Sequence, residues 1–222
     1  MARRKIIFGT YDTDFNGPWT LGPWSLTAAA YQSHLVDVPG RDGPLDLSTA
    51  LTDGVPRYGS RTLTATLERS DGTRLDREAA INTMINWLDG WRLEIRLPDD
   101  EAHYLLGRVH VAKNYNDPAH ASVTVTAICD PWRHNNHETV LSFTAGETVQ
   151  TARLTNSGRR SVVPVLQITG DDAAVNLVFG SASWALGPGT YQLPDLVVHQ
   201  GGASVEYSGK GALSFTYREA VL

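Results

Sequence analysis

The sequence has very little cysteine, no long hydrophobic run and no excess of positive charge. Cys129 is the only cysteine among 222 residues, which excludes an internal disulfide framework and indicates folding in a reducing compartment. No apolar run approaches the length of a transmembrane helix, so no membrane partner is expected. The net charge of -5 gives no basic footprint, so specific nucleic-acid binding is not expected either.

What remains is the composition of an ordinary soluble globular protein. Hydrophobic residues make up 41% of the chain and charged residues 19%, without biased tracts. The length suffices for one large all-β domain or for two modest ones, each with its own core.

Alternation of apolar and polar residues dominates the pattern. In the segment 91–97 every odd residue is apolar and every even residue is charged, and segments 123–129 and 213–218 repeat the alternation. Such a period of two is typical of strands with one buried face. The sequence therefore predicts a mainly β protein.

One segment departs from this alternation and predicts a single helix. Between Asp76 and Asp89 the apolar residues follow the spacing i, i+3, i+4, i+7 of an amphipathic helix. These residues are Ile81, Met84, Ile85 and Leu88. Asp76 is the predicted N-cap, and Gly90 is the predicted C′ residue.

Two domains are predicted, 1–138 and 139–222. Segment 130–137 is polar and contains a proline, which indicates a strand exit followed by a linker. After it, evenly spaced turns without helical periodicity predict a small β-sandwich. Near the N-terminus, segment 13–26 is rich in Gly, Pro and Trp and is predicted to be ordered but irregular.

No catalytic or metal constellation is present. Cys129, Asp130, His134 and His137 contain suitable ligand types, but their spacing matches no common zinc site. The acidic segment 99–101 is more simply a solvated hairpin loop than an acid–base pair. We therefore expect no enzyme activity, no catalytic residue, no metal and no cofactor.

The six tryptophans raise a carbohydrate-binding alternative, because indole faces stack on sugars. Trp87 and Trp91 fit core periodicities. In this alternative the C-terminal sandwich is a lectin-like module that uses Trp184 or Tyr191 to contribute to recognition of a host surface.

The polar segment 38–47 contains the most informative turn. Gly40 and Gly43 bracket Arg41 and Asp42, so the backbone can take left-handed conformations there at little steric cost. Its charged groups can pair locally or across an interface. We interpret the turn as a structural corner or a contact between subunits. The residues assigned to this role are Gly40, Arg41, Asp42, Gly43, Asp46 and Arg61.

Several motifs, taken in order, resemble the distal tail (Dit) protein family of long-tailed phages, the siphophages. The resemblance runs over most of the chain and depends on order and spacing more than on any single motif. The matching features are the turn at 38–47, Tyr58 and Arg61 before a strand, the helix and Trp-flanked strand at 81–97, the strand after the acidic turn at 99–111, Cys129-Asp130-Pro131-Trp132, the segment 156–170 and the C-terminal segment 211–222.

The resemblance implies a structural role at the virion tail tip, after synthesis in the host cytoplasm. It implies a tail-tube-like, ring-forming belt domain over 1–138 and a galectin-like β-sandwich over 139–222. The ring would be a homohexamer that lets DNA pass. Its implied partners are the tail tube protein, the tape-measure protein and the hub or tail-associated fibre protein. Segment 13–24 matches the family pattern poorly.

Overall fold

The structure is a computed structural model that describes residues 4–52, 54–114 and 120–222. It is mainly β with one α-helix in the described part of the chain, as predicted. The chain divides into two compact units, Met1–Arg133 and His134–Leu222. The predicted boundary after residue 138 lies slightly beyond this division. Within the described ranges, no helix combines the length and the apolar character needed to cross a bilayer.

The first unit contains one helix and nine strands among the residues described. The helix α1 spans Arg74–Leu88, and the strands are β1 (Ile7–Phe8), β2 (Tyr11–Asp12), β3 (Thr20–Leu26), β4 (Leu35–Val36), β5 (Leu45–Asp46), β6 (Arg61–Arg69), β7 (Arg92–Arg96), β8 (His103–Asn114) and β9 (Ala121–Asn135). Hydrogen-bonded neighbours in the main sheet follow the order β2-β1-β7-β8-β9-β6-β3, and β4 pairs with β5 separately.

The pairing of β6 with β9 separates a core face from an outer face. The strands are antiparallel, with Leu63 opposite Ala127 and Leu67 opposite Val123. These residues are completely buried, whereas the alternating threonines between them are only half-buried. Since successive side chains of a strand point to opposite faces, the alternation in the sequence predicted both strands correctly.

The helix covers the core face, but it begins earlier than predicted. Ile81, Met84 and Leu88 are buried in the first core. The N-cap is Thr73, and Asp76 is instead the N3 residue of a capping box, its carboxylate accepting from the Thr73 backbone N–H at 2.8 Å. The prediction of Asp76 as N-cap was therefore wrong. Gly90 has φ +80° directly after the C-cap, as expected for a C′ glycine.

Strand β9 continues through the segment that was predicted as a linker. It runs past Pro131 to Asn135. Its pairing with β6 ends at Cys129, so the missing N–H of Pro131 removes no hydrogen bond from that ladder. On the β6 side of the strand, Pro131 therefore causes no loss of sheet pairing.

The segment predicted to be irregular contains a regular strand in its second half. Strand β3 pairs with β6, with a register shift between Leu21 and Trp24. Gly22 and Pro23 lie in this irregularity, where neither the missing side chain nor the missing N–H interrupts a regular ladder. The glycine and proline that suggested irregularity therefore mark a bulge.

The second unit is entirely β in the described residues. Its strands are β10 (Thr139–Ala145), β11 (Gln150–Leu154), β12 (Val165–Phe179), β13 (Ala182–Leu186), β14 (Gly189–Gln192), β15 (Ala203–Tyr217) and β16 (Ala220–Val221).

Two long strands, β12 and β15, organise this unit. Their pairing is interrupted between Thr169 and Ala174, and buried positions of β12 change from even to odd numbers across the interruption. Leu166 before it and Leu177 after it belong to the same core. The sheet therefore bends back on itself and encloses that core.

We predict that Gly209→Ala strongly destabilises the second unit. Gly209 has φ +120°, and a Cβ there would lie 2.0 Å from the carbonyl oxygen of Ala174. Both strain and collision oppose a side chain, so we expect a loss of about 3 kcal/mol or more in the free energy of unfolding. Urea denaturation of the full chain measures the loss.

Gly180→Ala is the matched control. Gly180 also has positive φ, +59°, but a Cβ there would meet no atom within 4 Å. We expect a cost of about 1 kcal/mol for the backbone conformation alone. Equal costs at the two positions would contradict the close approach of β15 to β12 at Gly209.

Candidate assembly surface

Between β3 and β6 the chain leaves the main sheet and returns as a long irregular hairpin, which we call the arm (residues 27–60). Tyr31 and Tyr58 form an antiparallel bridge near its root. Further out, the Gln32 N–H donates to the Arg57 carbonyl at 2.9 Å, and strands β4 and β5 pair. The arm is therefore held by backbone hydrogen bonds along its length.

The glycine-bracketed turn lies at the tip of the arm. Gly40 and Gly43 have φ +82° and +79°, the left-handed conformations that the sequence predicted. Arg41 and Asp42 are exposed, and their side chains make no hydrogen bond or ion pair with any residue that the structure describes. A role within the chain's own corner gains no support from these contacts, and the contact between subunits stays a prediction.

Asp46 lies where β5 ends, and its role is local. Its carboxylate accepts from the Ser48 N–H at 2.8 Å. Hydrogen bonds from the Ser48 side chain and backbone lower the pKa of Asp46.

The arm has no core of its own. None of its described residues is buried, and Leu51 is 92% exposed. Other large apolar side chains are exposed along it as well, namely Tyr31, Leu35, Val38, Leu47 and Val55. Ordering a segment costs conformational entropy that burial usually offsets. An arm that exposes so many apolar side chains is therefore typical of a segment that packs against a partner.

Arg61 lies at the other end of the arm, at its root. Its Nε donates to the Thr27 carbonyl at 2.9 Å, and its Nη1 is buried without a hydrogen-bond partner in the described chain. Burial and the neighbouring Arg133 lower the pKa of Arg61. The six predicted residues therefore do not form one site, because the tip and the root are separated by the length of the arm.

Aromatic rings support the root. The Tyr58 ring stands edge-on to Tyr31 at 6.2 Å and to Trp132 at 5.8 Å between centroids. Such edge-to-face pairs stabilise beyond the area they bury. Tyr58 and Arg61, which the sequence singled out, thus both anchor the arm to the sheet.

A charged cluster lies beside the root. The Asp100 carboxylate accepts from Arg133 at 3.0 Å and lies 2.7 Å from Nδ1 of His103. Burial is the largest single influence on the pKa of Asp100 and by itself would raise it. The hydrogen bonds and charges of His103 and Arg133 together exceed the effect of burial, so the net result is a lowered pKa. Asp100 is thus a structural anchor and differs from the solvated loop residue that the sequence predicted.

A groove of about 440 Å³ lies on the outer face of the same sheet. It is lined by Asp89, Gly90, Arg108, Val109, His110, Thr126 and Ile128. Ile128 stands between the buried Ala127 and Cys129, so its side chain points away from the core and is 63% exposed. The groove therefore offers an apolar surface.

Of the charged groups at the groove, Asp89 has hydrogen-bond partners, whereas Arg108 lacks a carboxylate partner in the described chain. Asp89 accepts from the Val111 N–H at 2.9 Å and lies 2.7 Å from Nδ1 of His110. The hydrogen bond from the Val111 N–H is the largest influence on the pKa of Asp89 and lowers it. His110 lowers this pKa further, whereas burial acts in the opposite direction, and the net result is a lowered pKa. Arg108 donates to the Gly90 carbonyl at 2.5 Å but has no carboxylate partner in the described chain.

Sequence reasoning missed this groove. The available signal was Ile128, an apolar residue at an outward position of β9, where the preceding outward positions carry serine and threonine. Trp91 was assigned to the core by its periodicity, but it is 62% exposed. Trp87 was assigned in the same way and is 53% exposed.

Trp184 and Tyr191, the residues of the lectin alternative, are half-buried and pack against the second core. Cys129 is buried, and burial raises the pKa of its thiol to about 11. The structure brings together no group of three His, Cys, Asp or Glu side chains suited to a metal ion among the described residues.

The fold is similar to that of a solved phage protein. The crystal structure of the Dit protein (gp 19.1) of phage SPP1 superposes with a TM-score of 0.67, covering 100% of both chains at 13% sequence identity. That protein is described as a paradigm of the hub adsorption apparatus in phages that infect Gram-positive hosts. No protein-family model matches the chain, and no curated protein matches its sequence. At this identity the similarity establishes a Dit-like fold.

We predict that Asp100→Asn destabilises the protein by about 1–2 kcal/mol at pH 7, since it removes charge-assisted hydrogen bonds to Arg133 and His103. The folded-state pKa of Asp100 lies below its ordinary value of 3.8. The stability it contributes is therefore present above 3.8 and is lost as the pH falls through the folded-state pKa. Urea unfolding at pH 7, 5 and 3 should show the difference between wild type and variant shrinking only at the lowest pH.

Asp99→Asn is the control for this prediction. Asp99 pairs with Arg4 at 3.1 Å, but both side chains are more than half exposed. We expect almost no change at any pH. A difference for Asp100→Asn that is as large at pH 3 as at pH 7 would contradict the electrostatic explanation.

Proposed function

We propose that this protein is a structural subunit of a siphophage tail tip and assembles into a homohexameric ring. The observation that carries the proposal is the arm, an ordered segment whose apolar side chains face solvent in the isolated chain. The Dit-like fold supports the same assignment.

The arm and the groove are complementary in chemistry. The arm presents Val38 and Leu35 beside its tip, and the groove presents Ile128. Asp37, Arg41 and Asp42 at the tip have no ion-pair partner in the described chain, which leaves a net charge of one negative unit there, and Arg108 at the groove has no carboxylate partner. Because each copy carries both surfaces, an arm bound in the next subunit's groove makes a head-to-tail contact, the type of interface that builds a ring when the rotation between subunits closes.

In this assignment the first unit is the tail-tube-like belt domain and the second a galectin-like sandwich. The ring joins the tail tube and the tape-measure protein to the hub or fibre proteins at the virion tail tip, and DNA passes through its lumen. The net charge of -5 suits this role, because the chain has no cationic excess to retain phosphates. The role is structural and requires no enzyme activity and no cofactor.

The assembly is tested by light scattering and electron microscopy of the purified full chain. We expect a hexamer-sized particle with a central hole. Leu51→Asp and Val38→Asp should shift the mass toward monomer without lowering the melting temperature, because neither side chain is buried in the chain itself.

Val149→Asp is the matched control, since Val149 is 68% exposed but lies in the second unit. It should leave the ring intact. A wild-type chain that stays monomeric at high concentration, or arm variants that assemble normally, would contradict the proposal.

The proposed contact between the tip of the arm and the groove of the next subunit is tested by cross-linking. We expect Val38→Cys combined with Ile128→Cys to give, under mild oxidation, a ladder of covalent oligomers that ends at the ring. Cys129 should not interfere, since it is buried with a thiol pKa of about 11. Each single variant should give no ladder, and a ring that forms without cross-links in the double variant would place the arm elsewhere.

A further inference from the structure

Trp87 lies half-exposed on the surface of α1, against a buried aromatic ring. It is 53% exposed, and its ring lies against Tyr11 with centroids 6.2 Å apart. Tyr11 is itself buried, and its Oη accepts from Nε1 of Trp19 at 3.2 Å. The exposed indole therefore packs on a buried, hydrogen-bonded aromatic ring.

Uncharged polar side chains surround this indole. Asn82, Thr83 and Asn86 are all exposed on α1. Residues three and four apart on a helix are surface neighbours, so these three and Trp87 form one contiguous group, which we call the indole–amide patch. The amides of Asn82 and Asn86 make no hydrogen bond within the described chain. The Thr83 hydroxyl donates to the Ala79 carbonyl at 2.9 Å and can still accept.

The patch lacks the charges of an ordinary solvated helix face. No charged residue occurs between Glu78 and Asp89. Exposed positions of a helix are usually occupied by lysine, glutamate or arginine. The combination of free amides and an exposed indole, on a stretch of helix without charged residues, indicates a binding surface.

The size and charge of the patch select the kind of ligand. Four side chains cover far less than the roughly 800 Å² per partner of a standard protein–protein interface. The absence of charge disfavours phosphates and carboxylates, which are bound by Arg or Lys. A neutral sugar ring matches both limits, since it offers an apolar C–H face and a rim of hydroxyl groups.

We propose that the indole–amide patch binds a neutral saccharide. The apolar face of one sugar ring lies on the indole of Trp87. Its hydroxyls exchange hydrogen bonds with Asn82 and Asn86, whose amides both donate and accept. The site lies within one subunit and on the first unit, so it differs from the lectin alternative at Trp184 and Tyr191 and does not depend on ring formation.

The test is titration of the full chain with maltohexaose, cellohexaose and chitohexaose, with oligogalacturonate as the anionic comparison, using calorimetry. We expect at least one neutral hexasaccharide to bind and oligogalacturonate not to bind. Trp87→Ala should weaken that binding at least tenfold, Asn86→Ala about threefold to tenfold, and Trp87→Phe should retain part of it.

Leu75→Ala is the matched control, because Leu75 is exposed on the same helix outside the patch and should leave affinity unchanged. Trp184→Phe tests the second unit and should also have no effect. Melting temperatures verify that each variant is folded. The proposal is overturned if no neutral hexasaccharide binds, if Trp87→Ala binds as well as wild type, or if only oligogalacturonate binds.

Discussion

The antiparallel pairing of β6 with β9 is the constraint on which the first unit depends. It places Leu63, Leu67 and their partners on one face and a row of threonines on the other. A register slip of one residue would exchange the two faces, so burial of the apolar set specifies the register. The helix must then cover the first face, whereas Ile128 is left on the second as part of the groove. The arm ends at this pair, since it leads into β6, and Arg61 at the beginning of β6 holds its root by donating to the Thr27 carbonyl.

Features that depend on local physics could be predicted from the sequence, and features that depend on the surroundings could not. The strands followed from alternation, the helix from its apolar spacing, and the tip of the arm from its paired glycines. The N-cap was misplaced because Thr73 and Asp76 are both good caps and only their reciprocal hydrogen bonds distinguish them. Trp87 was misassigned because periodicity gives the phase of a side chain but not how far the covering layer extends.

The six residues assigned to a corner or an interface are a second case in which the sequence did not reveal the spatial arrangement. Residues 40–43 and Arg61 are near in sequence and were assigned one role, yet the arm separates them, with residues 40–43 at its tip and Arg61 at its root. Sequence distance could not reveal this, because the arm is defined by sparse pairings such as Tyr31 with Tyr58. The groove was missed for the opposite reason, since the turn after α1 and strands β8 and β9 meet there only after the sheet has formed.

Stability and assembly are separable in this chain. Each unit has its own buried core, and neither core includes a described residue of the arm. The arm therefore contributes little hydrophobic stabilisation to the isolated chain, and its apolar side chains are available for contacts outside it. This separation has a physical cost, because an exposed apolar arm favours aggregation when partners are missing. The two carboxylates of Asp37 and Asp42 outnumber the one cation, Arg41, at the tip, and this net negative charge opposes direct contact between two arms.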